Sequence, residues 1–259
     1  IEQAKWSVLK MGSYPKAQEG MYFIDPQTTI CDYDVNCNMT LFAFLKYQQD
    51  AAEKHVSSLG CDCDNMVAHK LAFLVNKTRN IIYRMPKYGE RFRLYTWNIG
   101  TNGVRFRRGF LWYSEDGELL AHGCNIYVLV NTETHRPLRP SALYVDFDVY
   151  PDYENPALTL DSDMSMINPS LVGRKTVTYS DLDLNRHLNN ARYAAILQDN
   201  LPEDRRSAEK IRSFAIDFIK EVPLGTQLEI FSETSEKHTV IKGTAQEHDR
   251  FSGRVDYAN

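Results

Sequence analysis

The stretch SDLDLNRHLNNARYAAILQD, Ser180 to Asp199, sets Asp183, Asn185 and His187 at alternate positions just ahead of an alanine-rich apolar run. These side chains suit acid–base work on a carbonyl. A carboxylate orients or accepts a proton, an imidazole exchanges one near neutral pH, and a carboxamide holds an oxygen. In an extended segment all three share one side, leaving Leu184 and Leu188 on the other side to enter the core. A helix starting downstream adds free backbone N–H groups and a partial positive field, which suits a developing oxyanion. The same residues also fit a plain helix start. Asn189 or Asn190 is a good N-cap, and Asp183 and Asn185 can satisfy turn N–H groups. That reading accounts for the Asp and Asn residues but not for His187.

An internal repeat supplies a control. DYDVNCNMTLFAFLKYQQD from Asp32 aligns without gaps on DLDLNRHLNNARYAAILQD from Asp181. Asp32, Asp34, Asn36, Gln49 and Asp50 meet Asp181, Asp183, Asn185, Gln198 and Asp199, and the same polar-to-apolar switch recurs. Asn38 stands where the second copy has His187. The shared Asp and Asn therefore serve a common turn, and the histidine belongs to one copy.

The elements that must position these groups follow the same duplication. Leu41, Phe44, Leu45, Gln48, Ala52 and Val56 recur at helical spacing until Gly60, and ARYAAILQDNL reads as the second helix. Strand-like runs follow each helix. In the first half they are LAFLVNKTRNIIYRM, ERFRLYTWNIG and VRFRRGFLWYSEDGELLAHGCNIYVLVN, with hairpin turns at Asn102-Gly103 and Asp116-Gly117. In the second they are SFAIDFIKEV, QLEIFSETSE, HTVIKGTAQEHD and FSGRVDYA. Ser141 to Ser170 has no Lys or Arg, six acidic residues and three prolines, the composition of a solvated linker. The expected organisation is residues 1–138, a linker at 139–170, and 171–259. Each half is an α+β unit whose helix lies against the concave face of an antiparallel sheet.

Composition narrows the function. A net charge of −4 and a pI near 6.0 disfavour general nucleic-acid binding, and no apolar run approaches a membrane span. IEQAKWSVLK lacks a secretory core and an Arg/Ser-rich transit composition; it also lacks an initiator Met, as a trimmed chain would. Five cysteines without framework spacing indicate a reducing compartment, with cytoplasm the expected location. Cys61 and Cys63 alternate with Asp62 and Asp64, yet no second Cys or His pair completes a ligand set, so no metal or cofactor is expected.

The sequence SDLDLNRHLNNARY closely resembles the motif of plant and bacterial acyl-(acyl-carrier-protein) thioesterases, D-x-N-x-H followed by V/L-N and a later Tyr. YTWNIGTNGVRFRRGF and YVLVNTETHRPLR also resemble family segments. The resemblance implies a tandem double hotdog, each unit a long helix wrapped by an antiparallel sheet. It implies catalytic Asp183, Asn185 and His187, joined by Glu221 in FAIDFIKEVPLG. By alternation alone Glu221 would be a surface acid. Plant members often carry Cys after this Glu; Val222 stands here, which disfavours a cysteine acyl-enzyme.

The implied reaction is hydrolysis of a fatty acyl thioester on acyl carrier protein, with water activated by Glu221, Asp183 and His187 and the oxyanion held by Asn185. The division of base and orienting roles is open. Acyl-CoA hydrolysis and non-hydrolytic acyl binding are the alternative readings. Phe42, Phe44, Leu45 and Tyr47 are candidate acyl-tunnel residues in the catalytically silent first half. Arg91, Arg93, Arg105, Arg107 and Arg108 are candidates for docking an acidic carrier. A homodimer is compatible with the duplication without being required by it.

Overall fold

A computed structural model describes residues 14–150, 153, 155–160 and 162–258. The segment IEQAKWSVLK and Pro151 of the linker lie outside them. Helix α1, Leu41–Ser58, starts where Thr40 accepts a hydrogen bond from the Ala43 N–H at 3.1 Å and ends just before Gly60, at φ +88°. A short α2, Cys63–Ala68, was not expected. Asp62 caps it by accepting from the Asn65 N–H, which gives the Cys61–Asp64 stretch a structural role. Strands β1 (Tyr22–Ile24), β2 (Leu71–Ile82), β3 (Phe92–Asn102), β4 (Arg105–Ser114) and β5 (Leu119–Asn131) complete the first half. The second half contains β6 (Ser170–Thr176), α3 (Asn190–Asp199), β7 (Ile211–Phe218), β8 (Gln227–Thr234), β9 (His238–Ala245) and β10 (His248–Tyr257). The edge strands β1 and β6 were invisible to alternation: β1 is three residues long, and β6 is almost wholly exposed.

All ten strands join one antiparallel sheet in the order β1-β3-β4-β5-β2-β7-β10-β9-β8-β6. The order is symmetric about the β2–β7 seam, where Lys77 pairs with Asp217 and Ile81 with Ser213. Two equivalent five-strand arrays therefore meet edge to edge, each removing the other's unpaired strand edge. Helices α1 and α3 pack together inside the curved sheet. Phe44 of α1 stacks on Trp112 at 4.3 Å and meets Phe214 of β7 edge-on at 5.7 Å, so the core crosses the seam. Gln198 of α3 accepts from the buried Leu41 N–H at 2.9 Å, closing one of α1's orphan donors from the other repeat. Glycine in β5 and β10 permits the helices to come close. A Cβ on Gly123 would sit 2.2 Å from Gln48, and one on Gly253 would sit 2.6 Å from Leu197.

The acidic linker is not simply solvated. Asp146 and Asp148 are exposed, but Leu143 and Phe147 pack with Phe73 and Phe106, and Ala157 is buried. Its polar composition reports the outward face, while a few apolar residues bind it to the sheet.

Candidate active site

The loop before α3 is built by its own side chains. Asp181 accepts from the Thr178 N–H at 2.8 Å and hydroxyl at 2.9 Å, and pairs with Lys175 at 2.7 Å. Burial raises its pKa, but these partners outweigh burial and hold the carboxyl below the usual range. In the first copy Asp32 has the equivalent bonds from Thr29, together with Lys46 and Tyr47. Asp183 accepts from the Asn185 N–H at 2.8 Å. Its own N–H donates to the His187 carbonyl at 3.0 Å, and the Arg186 N–H donates to the Asp183 carbonyl at 3.0 Å. Arg186 sits at φ +64°.

The segment is thus a closed turn, not an extended strand, and the expected leucine face does not form. Leu188 is buried, but Leu184 at the turn's tip is 92% exposed. The first copy repeats the turn: Asp34 accepts from the Asn36 N–H at 2.9 Å, Cys37 sits at φ +60°, and Val35 is exposed. Asp183 therefore has a turn-building role that its first-half counterpart, Asp34, shares. Asn189 is the N-cap of α3, accepting from the Ala191 N–H at 2.9 Å.

After the turn, His187 bridges Pro223, and the Leu188 N–H donates to the Val222 carbonyl at 2.8 Å. This short antiparallel pairing makes Glu221 a diagonal, same-face neighbour of His187. Glu221 lies beyond the end of β7 in an exposed turn, not inside the strand-like run expected from the sequence. Its chain direction is set by Val222, which is buried and bonded to the loop.

Two clefts border the loop. One, of about 240 Å³, is lined by Asp183, Asn185 and Asn190 and continues into the first half beside Leu45, Val75 and Phe106. The other, of about 700 Å³, is lined by His187, Glu221, Lys220 and Arg250. The four expected site residues thus gather at one loop and its neighbour but divide between the two clefts. Among the described residues, no hydrogen bond or ion pair joins the side chains of Asn185, His187 and Glu221 to one another.

Arg250 was missed. It is buried, with its Nε lacking a hydrogen-bond partner among the described residues. Its carbonyl accepts from the Ile219 and Lys220 N–H groups, as the Leu120 carbonyl does from Tyr83 and Arg84. Arg250 and Glu221 therefore occupy the places that the first half fills with buried Leu120 and Met85. The signal was present: LLAHGCNIY from Leu119 and DRFSGRVDY from Asp249 share Gly and Tyr at matched positions. Burial raises the pKa of the Tyr193 phenol, as do the charges of Asp183 and Glu221, while Arg250 opposes them.

Two other expectations change. Leu45 lines the cleft, but Phe44 is packed in the core, Tyr47 binds Asp32, and Phe42 lies beneath Arg192. The arginines of β3 and β4 do not form one basic patch. Arg91 is engaged by Glu115 and Arg93 by Asp25, while Arg108 is buried. Strand alternation sends Arg107 and Arg108 to opposite faces, and Glu115 and Asp25 neutralise Arg91 and Arg93.

Comparison with known proteins follows the same outline. Residues 23–144 match the acyl-ACP thioesterase N-terminal domain and residues 165–255 the C-terminal domain. A dodecanoyl-(acyl-carrier-protein) hydrolase of Umbellularia californica is 27% identical over 197 residues, covering 70% of this chain and 51% of the relative. A palmitoyl-acyl carrier protein thioesterase of Gossypium hirsutum is 23% identical over 239 residues, covering 86% and 57%. The chain spans about half the length of these curated relatives. Among solved structures, an acyl-ACP thioesterase from Bacteroides thetaiotaomicron superimposes with a TM-score of 0.83 at 20% identity, covering 92% of this chain and 98% of that one. The 12:0-ACP thioesterase of Umbellularia californica gives 0.76 at 18% identity, covering 94% and 99%. The fold is the double hotdog, and the chain belongs to the acyl-ACP thioesterase family.

Proposed function

We propose that this protein hydrolyses the thioester of a fatty acyl group carried on acyl carrier protein. Water adds its oxygen to the carbonyl carbon, the carbon–sulfur bond breaks, and the products are the free acid and the carrier thiol. The observation that carries this reading is the cleft leading from Asp183, Asn185 and Asn190 into the first half, in a chain of this family. In this reading Asn185 and the N–H groups at the start of α3 receive the carbonyl oxygen as it gains charge. Glu221 and His187, on the other side of the loop, activate water, and Asp183 keeps the loop in shape. Arg250 lines the same cleft as Glu221 and supplies positive charge there. Side chains that lie apart in this structure close on the substrate when it bridges the two clefts. The first half, whose turn lacks the histidine, houses the acyl chain.

Free-thiol release from acyl-carrier protein and from acyl-CoA, measured side by side, tests the activity and the carrier. Glu221→Gln and His187→Ala are each expected to reduce kcat by about 10²-fold or more while the protein stays folded. Full turnover by either variant would remove that residue from the mechanism. Binding of acyl carrier protein without thiol release would favour a non-hydrolytic acyl-binding protein.

A further inference from the structure

The cleft assigned above to the acyl chain is largely apolar, with Leu45, Val56, Phe73, Val75 and Phe106 in its lining, but one wall of it is polar. Strand register sets Asn98 of β3 opposite Arg108 of β4, Arg108 opposite Asn125 of β5, Asn125 opposite Thr78 of β2, and Thr78 opposite Ile216 of β7. Directly paired residues project to the same face, so Asn98, Arg108, Asn125 and Thr78 form one polar row across the inside of the sheet. All four are buried, and all four line the cleft. The row begins at the seam and ends three strand spacings away, roughly 14 Å, where Ala52 and Val56 of α1 lie over the cleft.

The far end holds a cation without an acid. Arg108 is only 4% exposed. It donates to His55 Nδ1 at 2.8 Å, to Thr96 Oγ1 at 3.2 Å and to Asn98 Oδ1 at 2.8 Å, using three of the five guanidinium N–H groups. His55 is kept neutral by burial and by the guanidinium itself, with its pKa pushed down to about 4. Arg107, the next residue of β4, alternates to the opposite face of the sheet and takes no part in the row. Asn125 is 6% exposed; its Nδ2 donates to the Tyr127 hydroxyl at 3.2 Å, while its Oδ1 is buried with no hydrogen-bond partner among the described residues. Buried polar atoms are normally paired, and an unpaired acceptor opposite a guanidinium with N–H groups to spare calls for a group that can satisfy both. The equivalent strands of the second half show the closed alternative. There Thr239 bonds Thr234 at 3.0 Å and Tyr257 at 2.7 Å.

We propose that this row is a subsite for a hydroxyl group carried on the acyl chain, remote from the thioester. The hydroxyl donates to Asn125 Oδ1 and accepts from a free guanidinium N–H of Arg108. A methyl-ended chain of the same length covers these atoms without pairing them, and a terminal carboxylate suits Arg108 but meets the Asn125 acceptor with another acceptor. The inference rests on the proposed function in one respect, that the acyl chain enters this cleft.

The test uses carrier-bound acyl thioesters of one length ending in a methyl, bearing a distal hydroxyl, or ending in a carboxylate. The hydroxylated chain is expected to exceed the methyl-ended one in kcat/KM by at least about tenfold, and Asn125→Leu is expected to collapse that ratio toward unity. Arg108→Leu strands His55 and Asn98 and risks the fold, so Asn125→Leu is the informative variant, with its thermal melt as control. Calorimetric binding of the free hydroxylated and unsubstituted acids to the Glu221→Gln protein gives a readout without turnover, and the same preference is expected. Equal or better use and binding of the methyl-ended chain overturns the subsite, as does preference for the carboxylate. If Asn125→Leu does not fold, the wild-type ratio and the binding pair still decide. Failure of every thioester to react would sink the hydrolase reading instead, and the binding measurement would then judge the subsite alone.

Discussion

His55 shows how one buried residue can set the pH response of stability. Its ring stacks on Tyr22 at 5.4 Å, and its Nδ1 accepts from Arg108. Burial first, and the guanidinium second, depress its pKa from 6.5 to about 4. The unfolded chain therefore binds this proton before the folded one does, so stability falls as pH drops from about 6.5 to about 4 and then levels off for this group. At 1.36 kcal/mol per unit, the loss is at most about 3 kcal/mol. His122, also lowered by burial, acts with the same sign. Asp32 and Asp181 are held below 3.8, and their contributions are lost only at still lower pH. Urea unfolding at about pH 7.5 and about pH 5 should show a reduced difference in His55→Gln, not an abolished one. An undiminished difference would place the pH sensitivity elsewhere.

At the element scale, the repeat signal hides an asymmetry of use. Gln49 and Gln198 are matched in the sequence, yet Gln198 accepts from the buried Leu41 N–H and donates to the Arg206 carbonyl, while Gln49 faces the cleft. Gln198→Ala leaves a buried helix donor unpaired and is expected to cost about 1–3 kcal/mol, read as a lower Tm. Gln49→Ala should cost less, because its position opens to the cleft. Equal costs would mean that α3 does not serve as the cap of α1. The helices, the long strands and both Gly-containing hairpin turns were legible because each follows local periodicity or turn chemistry. β1, β6 and α2 were not, because they are short and are held mainly by neighbours.

For the whole molecule, the β2–β7 seam makes two repeats one sheet. Asp217 bonds both Lys77 and Arg79 at 2.6 Å across that seam, and Phe44 reaches Phe214 beneath it. Neither half can open without exposing a central strand edge and part of a shared core. Scanning calorimetry should therefore show a single unfolding transition with matching calorimetric and van't Hoff enthalpies. Two resolved transitions would show that the halves are energetically separate.

The sequence by itself determined the duplication, the two central helices with their antiparallel strands, and the Asp183-Asn185-His187 cluster. Each is written in short-range spacing or in a family motif. The tertiary structure decided which atoms share a cavity. It closed the loop into a turn with Leu184 outside, brought Glu221 beside His187 through Val222, and put Arg250 where the first half keeps Leu120. It also aligned Asn98, Arg108, Asn125 and Thr78, residues from four strands, in a single row. Strand register and turn closure depend on hydrogen bonds between segments far apart in the chain, so no local pattern of residues encodes them.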